Sequence, residues 1–180
     1  MCSNFCVQHM LLHGDSQICR GIIKRVLPHV VDFSFQKFAS NVVERCIDTA
    51  TADESLQIML QLCDSAITKL CSSQQCAPTT GADSLNAFEY LIRDHYGNYI
   101  IQRLLGVLRG TALVILIGFL DVNKSHIAFC SHEKQLMKAI SKQSLRVSKS
   151  DAMCTQRALE GRLAQIPKPM LIRLGLRPQW

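Results

Sequence analysis

Three short stretches of the chain carry the same order of side-chain types: Asn4-Phe5-Cys6-Val7-Gln8-His9, Ser40-Asn41-Val42-Val43-Glu44-Arg45 and Asn98-Tyr99-Ile100-Ile101-Gln102-Arg103. Each opens on a short hydrogen-bonding residue, continues with a planar one, and places Gln or Glu four residues after the first. On a helix, residues four apart lie one turn from each other on the same face. Asn4 with Gln8, Ser40 with Glu44 and Asn98 with Gln102 therefore form three pairs of polar groups. The apolar pair between them points to a core, and Phe5, Asn41 and Tyr99 flank the polar pairs on the exposed edge. Each stretch thus offers two hydrogen-bonding side chains and one flat surface.

Other chemistries fit the residues less well. Glu44 and Asp48 are carboxylates at helical spacing, but one belongs to the repeated pattern and the other suits a solvated face. Asp94-His95 has no nucleophile beside it, so no catalytic residue is expected and the chain does not read as an enzyme. Cys2, Cys6, His9 and His13 are zinc-binding types. Strung along one helix over about 16 Å, they cannot converge on an ion with bonds near 2.0–2.3 Å. Cys71 and Cys76 lack a second pair. No metal, cofactor or small-molecule substrate is expected. Nine cysteines, an odd number, fall largely within apolar helical patterns: Cys6 beside Val7, Cys46 beside Ile47, Cys63 after Leu62. They are expected as buried thiols in a reducing compartment. The apolar run Ala112 to Leu120 is too short for a bilayer, which needs about 20 residues. With no targeting segment visible, a soluble, intracellular and cytoplasmic protein without membrane contact is expected.

The elements that must position the three stretches are helices. Apolar residues make up 48% of the 180 and charged residues 19%, five prolines interrupt the chain, and strand-like alternation is poor. Ile18, Ile22, Ile23, Val26 and Leu27 form one apolar helical face ended by Pro28; Leu56, Met59, Leu60 and Cys63 form another; Leu85, Phe88, Leu91 and Ile92 form a third. Val107 to Leu120 reads as a more hydrophobic helical stretch broken by Gly110 and Gly118. From Asn4 to Ser40 is 36 residues, the period of a helical repeat, and from Ser40 to Asn98 is 58. The surplus maps to the turn-rich stretch 71–84, CSSQQCAPTTGADS, expected as a loop inserted between repeats. Ile127, Phe129, Leu136, Met137 and Ile140 suit a degenerate terminal cap over 123–142. The expected organisation is a repeat domain over 1–142 and a basic, flexible tail over 143–180. Residues 138–180 hold nine Lys/Arg against two acids, so the positive charge lies there and not on the body of the chain. The first stretch lacks a preceding helix. A fragment, a truncated gene product or a degenerate copy is therefore expected, with Val7, Met10 and Leu11 exposed at its start.

The three pairs differ in what they accept. Guanine's Watson–Crick edge carries two donors, which a carboxylate takes together, so Glu44 suits guanine with Ser40 adding a hydroxyl. Uracil presents two acceptors and one donor, which an amide matches, so Asn98 with Gln102 and Asn4 with Gln8 suit uracil. Tyr99, Asn41 and Phe5 would lie between successive bases; an aromatic face is worth about 1–3 kcal/mol per stacked base.

At these residues the chain resembles the Pumilio (PUF) repeat family. Phe35 to Cys46, FQKFASNVVERC, is similar to its penultimate repeat; Leu91 to Leu105, LIRDHYGNYIIQRLL, to its final full repeat; Asn4 to His13, NFCVQHMLLH, to the repeat before those. Phe5 stands where a tyrosine is expected. The resemblance covers 3–142 and implies a right-handed, all-α solenoid of three-helix repeats, each reading one base. In that family Ser with Glu reads G, Asn with Gln reads U, and the RNA runs antiparallel to the protein. Carried over by position, Asn98, Tyr99 and Gln102 take a first U, Ser40, Asn41 and Glu44 a G, and Asn4, Phe5 and Gln8 a second U. The implied function is recognition of a UGU element in single-stranded RNA, within mRNA 3′ untranslated regions, with co-repressor proteins as further partners and post-transcriptional regulation as the outcome. The competing reading is an α-solenoid that binds another protein on this surface. The basic tail would add nonspecific, salt-sensitive RNA contact.

Overall fold

The structure, a computed structural model, describes residues 3–64, 87–122, 127 and 132–144. These residues are helical, with no strand among them. Helices α1 (Ser3–His13) and α2 (Ser16–Val26) are followed by a 3-10 turn at Leu27–His29. Then come α3 (Val30–Ser34), α4 (Ala39–Thr49), α5 (Ala52–Asp64), α6 (Ala87–Arg93), α7 (Gly97–Val107), α8 (Gly110–Val122) and α9 (Glu133–Ser144). A short helix, a middle helix and a longer one recur as α3–α4–α5 and α6–α7–α8. The three polar stretches occupy α1, α4 and α7.

Packing sets these helices in a row. α1 lies against α4, α4 against α7, and α7 against α9, while α2 and α3 back α4 and α6 backs α7. The residues between the polar pairs supply the contact: Val43, Ile100 and Ile101 are fully buried, as are Cys46, Ile47, Leu104 and Leu105 one turn on. Each such aliphatic side chain contributes about 1.5–3 kcal/mol on leaving water. Behind the row, Phe88 of α6 meets Phe119 of α8 edge-on at 4.7 Å between ring centres.

Local signals fix the helix ends. Asp15 caps α2, its carboxylate accepting from Ile18 N at 2.8 Å. Thr51 and Glu54 close a capping box at α5: Glu54 Oε2 accepts from Thr51 N at 2.8 Å, and Glu54 N donates to Thr51 Oγ1 at 3.3 Å. Arg20 of α2 ties these pieces together, donating to the Thr49 carbonyl at the end of α4 at 2.7 Å and pairing with Glu54 at 3.1 Å. Asp94 Oδ1 accepts from Tyr96 N and Gly97 N at 2.8 and 2.7 Å and so starts α7.

The apolar faces are placed largely as expected, with four corrections. Ile18 is exposed and Cys19 takes the core position of its turn. Leu11 is buried rather than open, because α1 packs on α2 and α4. Cys6 is an exposed free thiol, whereas Cys19 and Cys46 are buried free thiols. Gly110, at φ +55°, does mark the break before α8, since it adopts a conformation L side chains resist; Gly118 does not, and α8 runs through it. Ile127, Leu136 and Ile140 are buried, and α9 packs against α7. Leu85, Phe129, the stretch 71–84 and the tail beyond 144 lie outside the described residues.

Close approach constrains two glycines, Gly14 against the Met10 carbonyl oxygen and Gly97 against Leu91. A Cβ on Gly97 would stand 2.6 Å from Leu91 Cδ2, 2.9 Å from its Cα and 3.0 Å from its carbonyl oxygen. A Cβ on Gly118 would meet nothing within 4 Å. Gly97→Ala is expected to lose about 1–3 kcal/mol through overpacking. Gly118→Ala, in mid-helix, is expected to hold or gain up to about 1 kcal/mol. Urea denaturation of the two variants checks this, and equal midpoints for both would contradict the packing described.

Candidate nucleic-acid interface

The three equivalent helices bury their polar residues in the same order. The first residue of each pair is deep: Asn4 is 9%, Ser40 3% and Asn98 1% exposed. The flanking residue stands out, with Phe5 69% and Tyr99 51% exposed and Asn41 likewise on the surface. Gln8, Glu44 and Gln102 are half-buried between these extremes. A flat face and a hydrogen-bonding tip are therefore available at each helix, at the same register.

Depth changes what the first residue can do. Asn98 Nδ2 donates to the Asp94 and His95 carbonyls, both at 2.9 Å, and its Oδ1 accepts from Gln102 Nε2 at 2.9 Å. Its amide is committed to the helix start and to its partner, which leaves Gln102 with one free donor and its carbonyl oxygen. Ser40 Oγ donates to the Lys37 carbonyl at 3.4 Å, and Asn41 Nδ2 to the same carbonyl at 3.2 Å. Asn4 Nδ2 is buried and finds no partner among the described residues. So Asn98 serves to orient Gln102, a distinction between the two members of a pair that spacing alone does not reveal.

Glu44 is the only acid among the nine positions, and the charged side chains of Arg103, Asp48 and Arg45 act on it. Arg103 of α7 reaches α4, with Nε 3.2 Å from Asp48 Oδ1 and 4.0 Å from Glu44 Oε2. Asp48 Oδ2 also lies 3.4 Å from Arg45 Nη1. Burial raises the Glu44 carboxyl above its ordinary pKa; Arg103 opposes that, Asp48 adds to it and Arg45 opposes it. A cleft of about 310 Å³ opens here, lined by Glu44 from α4 and by Tyr99, Gln102, Arg103, Gly106 and Val107 from α7. The aromatic ring of one helix, its amide and the carboxylate of the next thus share one recess. Arg103 and Asp48 were not among the expected site residues. The basic or His position that closes all three stretches was the available signal for Arg103. Among the described residues no group of three His, Cys, Asp or Glu gathers as a metal site, and no helix is long and apolar enough to cross a membrane.

Comparisons with known proteins agree with this architecture. Residues 29–63 and 89–117 match the Pumilio-family RNA binding repeat. The chain is 29% identical over 114 residues to the chloroplastic pumilio homolog 8 of Arabidopsis thaliana, covering 63% of this chain and 18% of that protein. It is 27% identical over 107 residues to Fem-3 mRNA-binding factor 2 of Caenorhabditis elegans, covering 58% of this chain and 15% of that protein. The match therefore spans less than a fifth of these curated relatives' length. Among solved structures, PUF-8 in complex with PBE-RNA superposes with a TM-score of 0.61 at 21% identity, over 78% of this chain and 36% of that one. The Puf3 RNA binding domain bound to a Cox17 RNA 3′ UTR site superposes at 0.60 with 15% identity, over 88% of this chain and 38% of that one. These two likenesses establish the fold, an α-solenoid of helical repeats. The repeated stretches, the family match over residues 29–63 and 89–117 and the common fold together mark this chain as carrying repeats of the Pumilio (PUF) family.

Proposed function

We propose that the chain binds single-stranded RNA along the row α7–α4–α1 and reads U, G and U in that order from the 5′ end. The observation that carries this reading is the position of Glu44: a half-buried carboxylate on the middle helix, flanked by helices whose equivalent residues are the amides Gln8 and Gln102. Two acceptor oxygens suit guanine's two donors, and the neighbouring amides suit uracil's mixed edge. The exposed rings of Tyr99 and Phe5 support it further, because a base can lie flat on each. In the binding of this chain Gln102 makes the base contact and Asn98 holds it in place. Asn4 has an unmet donor to offer. The relatives' names, which include an mRNA-binding factor and a domain on a 3′ UTR site, support messenger RNA as the substrate class. The role we infer from this is post-transcriptional control in the cytoplasm, with recruited co-repressors as effectors.

The test is a change of code at one helix. Ser40→Asn with Glu44→Gln is expected to turn a preference for UGU into one for UUU. A good bidentate base contact discriminates by about 1–3 kcal/mol, or roughly 5- to 150-fold at the middle base. The outer bases should be read as before. Competition binding with the four middle-base RNAs at fixed salt measures this. A wild-type chain indifferent to that base, or a double variant that keeps guanine, would favour a protein-binding role for this surface.

Stacking is tested separately. Tyr99→Ala should weaken binding by about 1–3 kcal/mol without altering which middle base is preferred. Loss of preference with unchanged affinity would contradict it.

Glu44 should also carry a cost to stability. A carboxyl whose folded pKa lies above its unfolded value destabilises the fold when ionised. That penalty is complete above the raised value and disappears as pH falls below the ordinary 4.5. Glu44→Gln is therefore expected to resist urea better than wild type at pH 8, with the difference narrowing as pH falls toward the ordinary 4.5. A variant less stable than wild type at pH 8 would show that Arg103 outweighs burial.

A further inference from the structure

We propose that Arg103 is a positioning residue for guanine recognition on the neighbouring helix: from α7 it is anchored by Asp48 and stands beside the Glu44 carboxylate, steadying it while leaving its oxygens open to the base. This rests on the reading of Glu44 as guanine's acceptor. It adds that the base preference of α4 depends on a residue of α7.

The distances carry the argument. Arg103 Nε is 3.2 Å from Asp48 Oδ1, a full ion-pair contact, and 4.0 Å from Glu44 Oε2, the outer limit of one. The guanidinium is thus held mainly by Asp48, one turn beyond Glu44 on the same helix. At 4.0 Å it acts on Glu44 through its field without occupying the carboxylate's acceptor sites. Arg45 satisfies the other oxygen of Asp48 at 3.4 Å, so two cations and two acids balance across the α4–α7 junction. Both Arg103 and Glu44 line the same cleft, together with Tyr99 and Gln102. Burial works against the ionised form of Glu44, and Arg103 is the strongest charge opposing it. A closer contact would present guanine with an acceptor already used; no contact would leave a half-buried carboxylate unsupported.

The experiment uses the full chain and short RNAs carrying UGU or its three middle-base variants, in competition at fixed salt, with a thermal melt of each variant. Arg103→Gln is expected to reduce the preference for guanine roughly 2- to 5-fold, the scale of a half-exposed ion pair, with the outer uracils read as before. Arg103→Lys, which keeps the charge, should restore most of that preference. Asp48→Asn, which keeps Arg103 but frees it to close on Glu44, should lower guanine preference as well. Should Arg103→Gln fail to fold, the Lys and Asn variants carry the same comparison. An unchanged guanine preference in Arg103→Gln or in Asp48→Asn overturns the proposal while leaving the base reading intact. Equal weakening toward all four RNAs overturns it too, by marking Arg103 as a phosphate contact. A wild-type chain with no guanine preference removes both this proposal and the reading beneath it.

Discussion

The side-by-side packing of α1, α4 and α7 is the constraint on which everything else in the molecule depends. Each helix can face its neighbour because two adjacent apolar residues separate its polar positions, and in α7 and α4 these are Ile100, Ile101 and Val43 at full burial with Val42 close to it. A repeat cannot bury such a face alone, so each helix needs the next, and stability propagates along the row. α1 follows the rule less strictly. Its intervening pair is Cys6 and Val7, one exposed and one half-buried, so less of the apolar gain is realised there. The packing carries a polar edge with it: when the apolar pair turns inward, the residues on either side of it are fixed at the margin between core and solvent.

That margin explains why the two members of a polar pair behave differently. The first lies at the start of its helix, close to the turn before it, and is almost wholly buried. A buried amide must be hydrogen-bonded, and Asn98 meets this by donating to two carbonyls of the preceding turn and accepting from Gln102. The second member, one turn on, keeps its tip at the surface. Burial thus prepares the site before any ligand arrives, because Gln102 is already oriented by a residue that cannot itself swing away. Gly97 belongs to the same arrangement. The turn that places Asn98 brings α7 so close to Leu91 that a side chain does not fit between them.

Electrostatics adds a cost at the helix where the amide is replaced by an acid. Glu44 sits where an amide would be comfortable and a carboxylate is partly desolvated, and its raised pKa records that strain. Arg103 from the next helix and Arg45 from its own moderate it, while Asp48, which holds both, adds to it. The charge balance at the middle helix therefore depends on side chains contributed by two helices.

Much of this was written in the sequence. Spacing of four within a single helix determines that Ser40 and Glu44, or Asn98 and Gln102, stand one turn apart, because helix geometry is local and needs no knowledge of the fold. The apolar residues between them, and the recurrence of the pattern after 36 residues, likewise announced a row of repeated helices. Which of two polar neighbours is sunk to 1% exposure and which stays half-buried was decided only when α7 was packed among α4, α6 and α9. The bond between Arg103 and Asp48 belongs to the same class. These residues are far apart in the chain and come within 3.2 Å only because α7 packs on α4. A sequence pattern specifies angles about one helix axis; distances between axes are set by the side chains that fill the space between them, and those appear only when the whole core is assembled.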